Sequence, residues 1–361
     1  MKIDIIAGAR PNFIKIAPII REINKQIKLG INLKFRLIHT GQHYDKNMSE
    51  FFFNQLNIPI PDINFDAGGG SQAEQTSKIM IKYESLLKNT RCDLCLVVGD
   101  VTSTMACSIV AKKMNIKVAH VEGGIRSFDL TMPEEINRIV TDSISDFFYT
   151  TSPFANENLK SLGFKNKSII YVGNTMIDTL IYEMDRFKKP FFYEKLKLSQ
   201  KKYFVLTLHR PSNVDSIEIF LKIITEILKN TKDYPVIYPA HPRVKGIISK
   251  LKKFNNLNVV DPIPYLEFNY LVKNSLCVIT DSGGITEEAT VMDVPCMTVR
   301  NNTERPETIS EGTNELIGTN PKKFKLFFEL LFNNNWKKGS VPKFWDGKAS
   351  ERIVKHLISI D

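Results

Sequence analysis

Four ionisable side chains fall where a parallel sheet would deliver them to one rim. Asp100 follows the apolar run Leu96-Val97-Val98 and Gly99, Glu122 follows Val118 to Val121, and Glu134 and Arg138 lie four apart where a helical stretch opens between Thr131 and Pro133. Short β-branched runs of this kind mark buried parallel strands, so Asp100 and Glu122 stand at strand carboxyl ends, where open α/β sheets bind ligands. Glu134 and Arg138 share one helix face. Carboxylates beside a guanidinium make a site for moving protons next to an anion. Each residue also has a plainer role open to it. Thr131-x-x-Glu134 fits a capping box, Glu134 with Arg138 an ordinary helical ion pair, and Asp100 a turn residue after a strand. Convergence on one rim favours chemistry.

Other loops at strand ends carry cations, imidazoles and glycines. Gly8-Ala9-Arg10-Pro11 turns the first strand into a helix with Lys15 one turn on, which sets Arg10, Lys15 and the N–H groups behind Arg10 at an anion-binding helix start. Thr40 to Asp45 is a polar loop holding Gln42 and His43. In the second half, Leu208-His209-Arg210-Pro211 ends a strand, with His209 either a ligand contact or a satisfied half-buried histidine. Pro239-Ala240-His241-Pro242-Arg243 repeats that pattern. Thr280-Asp281-Ser282-Gly283-Gly284 reads as a phosphate cradle at a helix's positive end, with Asp281 as an N-cap the alternative. Glu287 and Glu288 one turn later reach toward a ribose, and Arg300 and Arg305 border the same edge.

Two runs of alternating strands and helices must position these groups. The alternation predicts an α/β protein of two doubly wound Rossmann-like domains: residues 1–174 plus a C-terminal helix in 345–361, and residues 175–344, the second start preceded by a helix over 175–186 and a polar, proline-broken linker over 188–202. At 361 residues, two domains are expected. The 43% hydrophobic and 24% charged content is that of an ordinary globular chain. No segment approaches the roughly 18 unbroken apolar residues of a membrane span, and Met1-Lys2 leads straight into the strand IDIIAG, so neither membrane insertion nor a signal peptide is expected. Five cysteines, an odd number, fit a reducing, cytoplasmic setting, and Cys92-x-x-Cys95 runs into a buried strand, where packing outweighs redox or zinc chemistry. The formal charge of +10 comes from lysines scattered over helix faces, such as Lys25, Lys28, Lys112 and Lys113, rather than from a basic stripe with aromatics. An anionic small substrate suits that balance better than nucleic acid. Gly68-x-Gly70-x-x-Ala73 imitates a dinucleotide fingerprint but follows a poor strand, and reads as a mobile glycine-rich loop.

Taken together, GARPNFIK at 8–15, TGQHYD at 40–45, GD at 99–100, HVEGGIRS at 120–127, PEEINR at 133–138, LHRPSN at 208–213, DSGGITEEA at 281–289 and TERPE at 303–307 resemble the non-hydrolysing UDP-N-acetylglucosamine 2-epimerases, in order and over most of the chain. The resemblance implies the B-type glycosyltransferase architecture, a site in an interdomain cleft, a homodimer, and conversion of UDP-N-acetylglucosamine to UDP-N-acetylmannosamine for cell-surface polysaccharide precursors, with neither NAD nor metal. It also implies roles. Asp100, Glu122 and Glu134 match the family's catalytic carboxylates; Arg10, Lys15 and His209 match residues near the diphosphate and sugar. Ser282, Gly283 and Glu288 match diphosphate and ribose contacts, and His241 and Arg300 further nucleotide-side or closure residues. Gln42, His43, Arg138, Arg243, Gly284 and Arg305 complete the expected substrate-binding set. The chain departs from the family pattern at Asn12-Phe13 and Pro211-Ser212-Asn213, where a sugar could be contacted. That leaves a related UDP-hexosamine, of the N-acetylfucosamine or diacetamido-uronate type, as an alternative substrate, with hydrolysing epimerases and glycosyltransferases of the same fold as alternative activities.

Overall fold

Two parallel sheets organise the chain. A computed structural model describes residues 1–41, 53, 55–240 and 254–361, and Gln42, His43, His241 and Arg243 lie outside the described residues. The chain divides into two compact units, Met1–Tyr182 with Lys343–Asp361, and Glu183–Pro342.

In the first unit the strands are β1 (Lys2–Ala7), β2 (Lys34–His39), β3 (Ile63–Asn64), β4 (Leu94–Val98), β5 (Lys117–Val121), β6 (Phe147–Thr150) and β7 (Ile169–Tyr171). Their order is β3-β2-β1-β4-β5-β6-β7, and every pairing is parallel. Ile3 to Ala7 and the whole of β4 are buried, as strands covered on both faces must be. The second unit pairs β8 (Phe204–Thr207), β9 (Val236–Pro239), β10 (Leu257–Val260), β11 (Cys277–Thr280), β12 (Cys296–Thr298) and β13 (Asn314–Leu316) in the order β10-β9-β8-β11-β12-β13, again all parallel. Each sheet is built outward from its first strand in one direction and then the other. The loops leaving β1 and β4 therefore diverge, as do those leaving β8 and β11, and each divergence opens a crevice at the sheet's carboxyl edge.

The helix Thr175–Glu183, read from sequence as opening the second domain, belongs to the first unit as far as Tyr182. Thr179 Oγ1 donates to the Ile14 carbonyl at 2.6 Å, and the buried Asp178 carboxylate accepts the N–H groups of Ala349 and Ser350 at 3.0 and 2.7 Å. Asp178 thus caps the helix Ala349–Ser359, whose own N-cap residue, Lys348, makes no side-chain cap. Trp345 Nε1 donates to the Thr151 carbonyl at 3.0 Å, which seats the returning segment on the first unit.

The glycine-rich loop near 70 enters the helix Gln72–Asn89 through a true capping box: Ser71 Oγ accepts from Glu74 N at 3.2 Å and Glu74 Oε2 from Ser71 N at 2.7 Å. All five cysteines are free and buried, and burial pushes the Cys92 thiol up to about 12, far from a reactive thiolate. Among the described residues no helix is long and apolar enough to cross a membrane, and no group of three or more His, Cys, Asp or Glu side chains is placed to hold a metal ion.

Candidate active site

The crevice of the first unit collects the residues that follow β1, β4 and β5. Lys15 is buried on the helix Arg10–Lys28, and its Nζ lies 2.7 Å from Glu122 Oε2. Glu122 sits just past β5 with φ of 70°, a left-handed backbone that costs a non-glycine residue on the order of 1 kcal/mol. The hydrogen bond from its N–H to the Tyr149 carbonyl, 2.9 Å, helps hold it there. Gly99, with φ of 69°, passes over this ion pair so closely that a Cβ would lie 3.3 Å from Lys15 Nζ and 3.8 Å from Glu122 Oε2. Gly124 is needed in the next turn, since a Cβ there would meet the Ala155 carbonyl oxygen at 2.4 Å. Arg10 is exposed at the first residue of its helix. The N–H groups behind it, expected to face a ligand, are instead closed by Asn12: its Oδ1 accepts from Gly8 N and Ala9 N at 3.0 and 2.9 Å, while its Nδ2 donates to the Val98 carbonyl at 3.1 Å.

Asp100 and Arg138 meet as expected, through a short ion pair between Oδ2 and Nη2. The partner of Arg138 on its own helix, Pro133–Ile144, is Glu135 rather than Glu134. Glu135 is buried, with Oε2 2.9 Å from Arg138 Nη1, and it also accepts the N–H groups of Ser127 and Phe128 at 2.9 and 3.1 Å. Glu134 is exposed and makes no hydrogen bond or ion pair among the described residues. The capping box that Thr131 could have made with it does not form. Met132 is the N-cap residue, and the Thr131 N–H and hydroxyl both donate to Asp129 Oδ1. Below the rim, the fully buried pair His120 and Asp142 approach to 2.7 Å, and Asp142 also takes Arg126 at 2.6 Å. Burial pushes the Asp142 carboxyl up, but His120 and Arg126 outweigh it and hold it below the usual carboxylate range.

In the second unit the crevice between β8 and β11 is built on Asp281. This carboxylate is fully buried and accepts the N–H groups of His209 and Arg210, at 3.0 and 2.9 Å, and Asn213 Nδ2 at 3.0 Å. His209 Nδ1 lies 2.8 Å from it, with the imidazole otherwise 58% exposed, so the ring is aimed from below and open above. Burial raises the Asp281 carboxyl, but His209 and the backbone donors hold it below its ordinary range. Asp281 therefore ties β8 to β11 and does not cap the helix Gly283–Val291. Ser282 is the N-cap residue and makes no side-chain cap. Among the described residues, no heavy atom beyond its chain neighbours and the helix's own backbone lies within 4 Å of where a Gly283 Cβ would sit, and Ser282 makes no side-chain cap, so this helix end is open beside its first residue.

Glu287 and Glu288, expected to act together on a ribose, part company. Glu287 is fully buried in a short ion pair with Arg305 Nε, which fixes Arg305 as a brace between two helices. Arg300 is likewise buried, bonded to both Glu304 oxygens at 2.6 and 3.0 Å. Glu288 accepts Tyr265 OH at 2.7 Å, and burial pushes its carboxyl up to about 7 against the hydrogen bonds from Tyr265 and Asn269.

The fold and these loops define a two-unit parallel α/β protein with one acidic crevice and one helix-end crevice. A family model described as UDP-N-acetylglucosamine 2-epimerase matches residues 25–358, and the chain belongs to that family. It is 40% identical to the UDP-N-acetylglucosamine 2-epimerase of Methanocaldococcus jannaschii over 99% of both chains. It is also similar to a crystal structure of the M. jannaschii UDP-GlcNAc 2-epimerase in complex with UDP-GlcNAc and UDP, with a TM-score of 0.89 and 40% identity, covering 99% of this chain and 100% of that one. A UDP-2,3-diacetamido-2,3-dideoxy-D-glucuronate 2-epimerase of Pseudomonas aeruginosa is 39% identical over 88% of each chain.

Several residues that shape the site escaped the sequence reading. Glu135 and Asp142 lie three residues before and four after the expected Arg138, on its face of the helix, a periodicity legible in advance had the helix been read for buried polar residues. His120, the penultimate residue of β5, is directed onto Asp142 of the helix Pro133–Ile144. Tyr265 and Asn269 gave no signal, because their partner Glu288 is remote in sequence, and Asn213 was marked as a departure from the family pattern without its partner Asp281 being foreseen.

Proposed function

We propose that this chain interconverts UDP-N-acetylglucosamine and UDP-N-acetylmannosamine without hydrolysing either. The observation that carries the proposal is the full-length likeness to a relative whose crystal structure holds UDP-GlcNAc and UDP. The C2 hydrogen of a hexosamine has no neighbouring carbonyl to acidify it. Expelling UDP from C1 builds positive charge beside C2, and a carboxylate then takes the proton while the C1–O electron pair leaves with UDP. The C1–C2 double bond that forms is that of 2-acetamidoglucal. Returning a proton to the opposite face and the UDP oxygen to C1 gives the epimer, so atoms balance without an added reactant. In this assignment Asp100, Glu122 and Glu134 supply proton transfer, each worth about 10²- to 10⁴-fold. Lys15, Arg10 and His209 meet the developing phosphate charge, and Ser282, Gly283 and Gly284 present N–H groups to the diphosphate. Glu288 holds the ribose. We extend the proposal to a homodimer in the cytoplasm, checked by ultracentrifugation and fractionation.

Proton NMR in deuterium oxide tests it. Purified protein given UDP-N-acetylglucosamine should yield a mixture with UDP-N-acetylmannosamine carrying solvent deuterium at C2, and converted product without deuterium would rule out this mechanism. The likeness to the P. aeruginosa enzyme favours a second reading, a UDP-diacetamido-uronate substrate. Turnover of that sugar alone, in a panel of UDP-hexosamines, would select it.

A further inference from the structure

His120 is the penultimate residue of β5, two residues before Glu122, and both of its ring nitrogens face atoms that only accept. Nδ1 is 2.7 Å from Asp142 Oδ1, and Nε2 is 2.8 Å from the Gly99 carbonyl oxygen, with no exposed surface on the ring. A carbonyl has no proton to give. Nor has Asp142, whose second oxygen already accepts Arg126 Nη1 at 2.6 Å and Gly124 N at 3.0 Å. A neutral imidazole would aim a lone pair at one of these oxygens in a dry interior, whereas a doubly protonated ring donates to both.

We propose that His120 is held as an imidazolium and is a positioning residue for Asp100 and Glu122. Its Nε2–H grips the carbonyl of Gly99, whose N–H is bonded to the Val121 carbonyl at 3.0 Å, so the peptide leading into Asp100 is clamped to β5 from both ends. Its Nδ1–H fixes Asp142, which holds the Gly124 N–H in the turn that leaves Glu122. Two cations, His120 and Arg126, share one carboxylate, Asp142, which leaves one net positive charge buried in the first unit beneath these two loops. The inference rests on the reading of Asp100 and Glu122 as proton-transfer groups.

Nitrogen NMR of the full-length protein, labelled at its histidine rings, tests the charge. At neutral and mildly alkaline pH, His120, assigned through its backbone correlations, should show two protonated ring nitrogens; a single tautomer with one bare nitrogen would overturn the proposal. Asp142→Asn, which removes the counter-charge but keeps the shape, should return the ring to one tautomer. His120→Gln supplies N–H donors without charge, and it should slow C2 deuterium exchange about 10- to 100-fold while KM and UDP affinity stay within about twofold and the thermal midpoint holds. Unchanged exchange, or an equal loss of exchange, UDP affinity and thermal midpoint, would count against positioning. Should the variant not fold, the spectrum of the unmodified protein still decides. If the unmodified protein turns over no UDP-hexosamine, the epimerase proposal fails and the nitrogen spectrum still answers for His120.

Discussion

The two crevices handle charge in opposite ways. In the first unit the carboxylates of Glu122, Asp100 and Glu135 each have a cation beside them: Lys15 with Glu122, and Arg138 with both Asp100 and Glu135. In the second, the central carboxylate, Asp281, is shared among the His209 and Arg210 N–H groups, the His209 ring and the Asn213 amide, and among the described residues the neighbouring helix end carries no side-chain cap. The first arrangement holds its acids in place and aimed, as proton transfer requires. The second offers fixed N–H groups to an anion that arrives and departs. Paired charges are costly to separate, whereas a helix end is cheap to leave open, and the reaction proposed above needs both properties.

That contrast can be broken at its strongest point first. Asp100→Asn should lower turnover and C2 exchange by about 10²- to 10⁴-fold with UDP affinity within several fold, read by NMR and calorimetry. Glu134→Gln should do the same to turnover while shifting stability by no more than about 0.5 kcal/mol, since that side chain is exposed. Intact activity in Glu134→Gln would remove it from the acidic set. Next in size, Lys15→Met should destabilise the protein by about 3–5 kcal/mol in urea unfolding by stranding Glu122, and Lys15→Met/Glu122→Gln should recover most of the loss.

Stability against pH sharpens the comparison further. The folded-state value of Glu288, about 7, exceeds its ordinary 4.5, so the folded protein holds the extra proton. Its contribution is therefore most favourable below about 4.5 and declines, by on the order of 3 kcal/mol, as pH rises toward 7. Burial likewise pushes the Glu307 carboxyl up to about 7, so Glu288→Gln should remove about half of the decline in thermal midpoint. Asp142 and Asp281 run the other way. Both are depressed, so each adds stability above the ordinary carboxylate value that is lost as pH falls through its lowered one. The smallest effect belongs to the helix end: Gly283→Ala has room for its methyl, so stability should move by less than about 1 kcal/mol while UDP binds about tenfold more weakly.

How much of this was legible varies with the range of the interaction. Asp100 and Glu122 could be placed because a β-branched run ending in a turn puts the next residue at a strand's carboxyl end, and both lie there. The Lys15 to Glu122 pair could not, since 107 residues separate them and only the β1-β4-β5 order brings them together. Glu134 against Glu135 was a choice between neighbours four and three residues from Arg138. Helical spacing allows either, and burial selected Glu135. Arg305 had the right type and loop for an anion contact, but Glu287 claims it. The strand Asn314–Leu316 is three residues long and polar at both of its first positions, too short for any periodicity to register.

The return of residues 343–361 to the first unit has a consequence for how the chain is made. Those residues supply Trp345 to Thr151 and the helix that Asp178 caps, yet they leave the ribosome only after all of Glu183–Pro342 has emerged. Vectorial synthesis ordinarily lets the leading domain mature first. Here the trailing sheet, β8 to β13, is complete while the leading unit still lacks its closing helix, so a nascent chain held with Glu183–Pro342 outside the ribosome and the later residues still inside it should protect the later half from protease and leave the earlier half open to it.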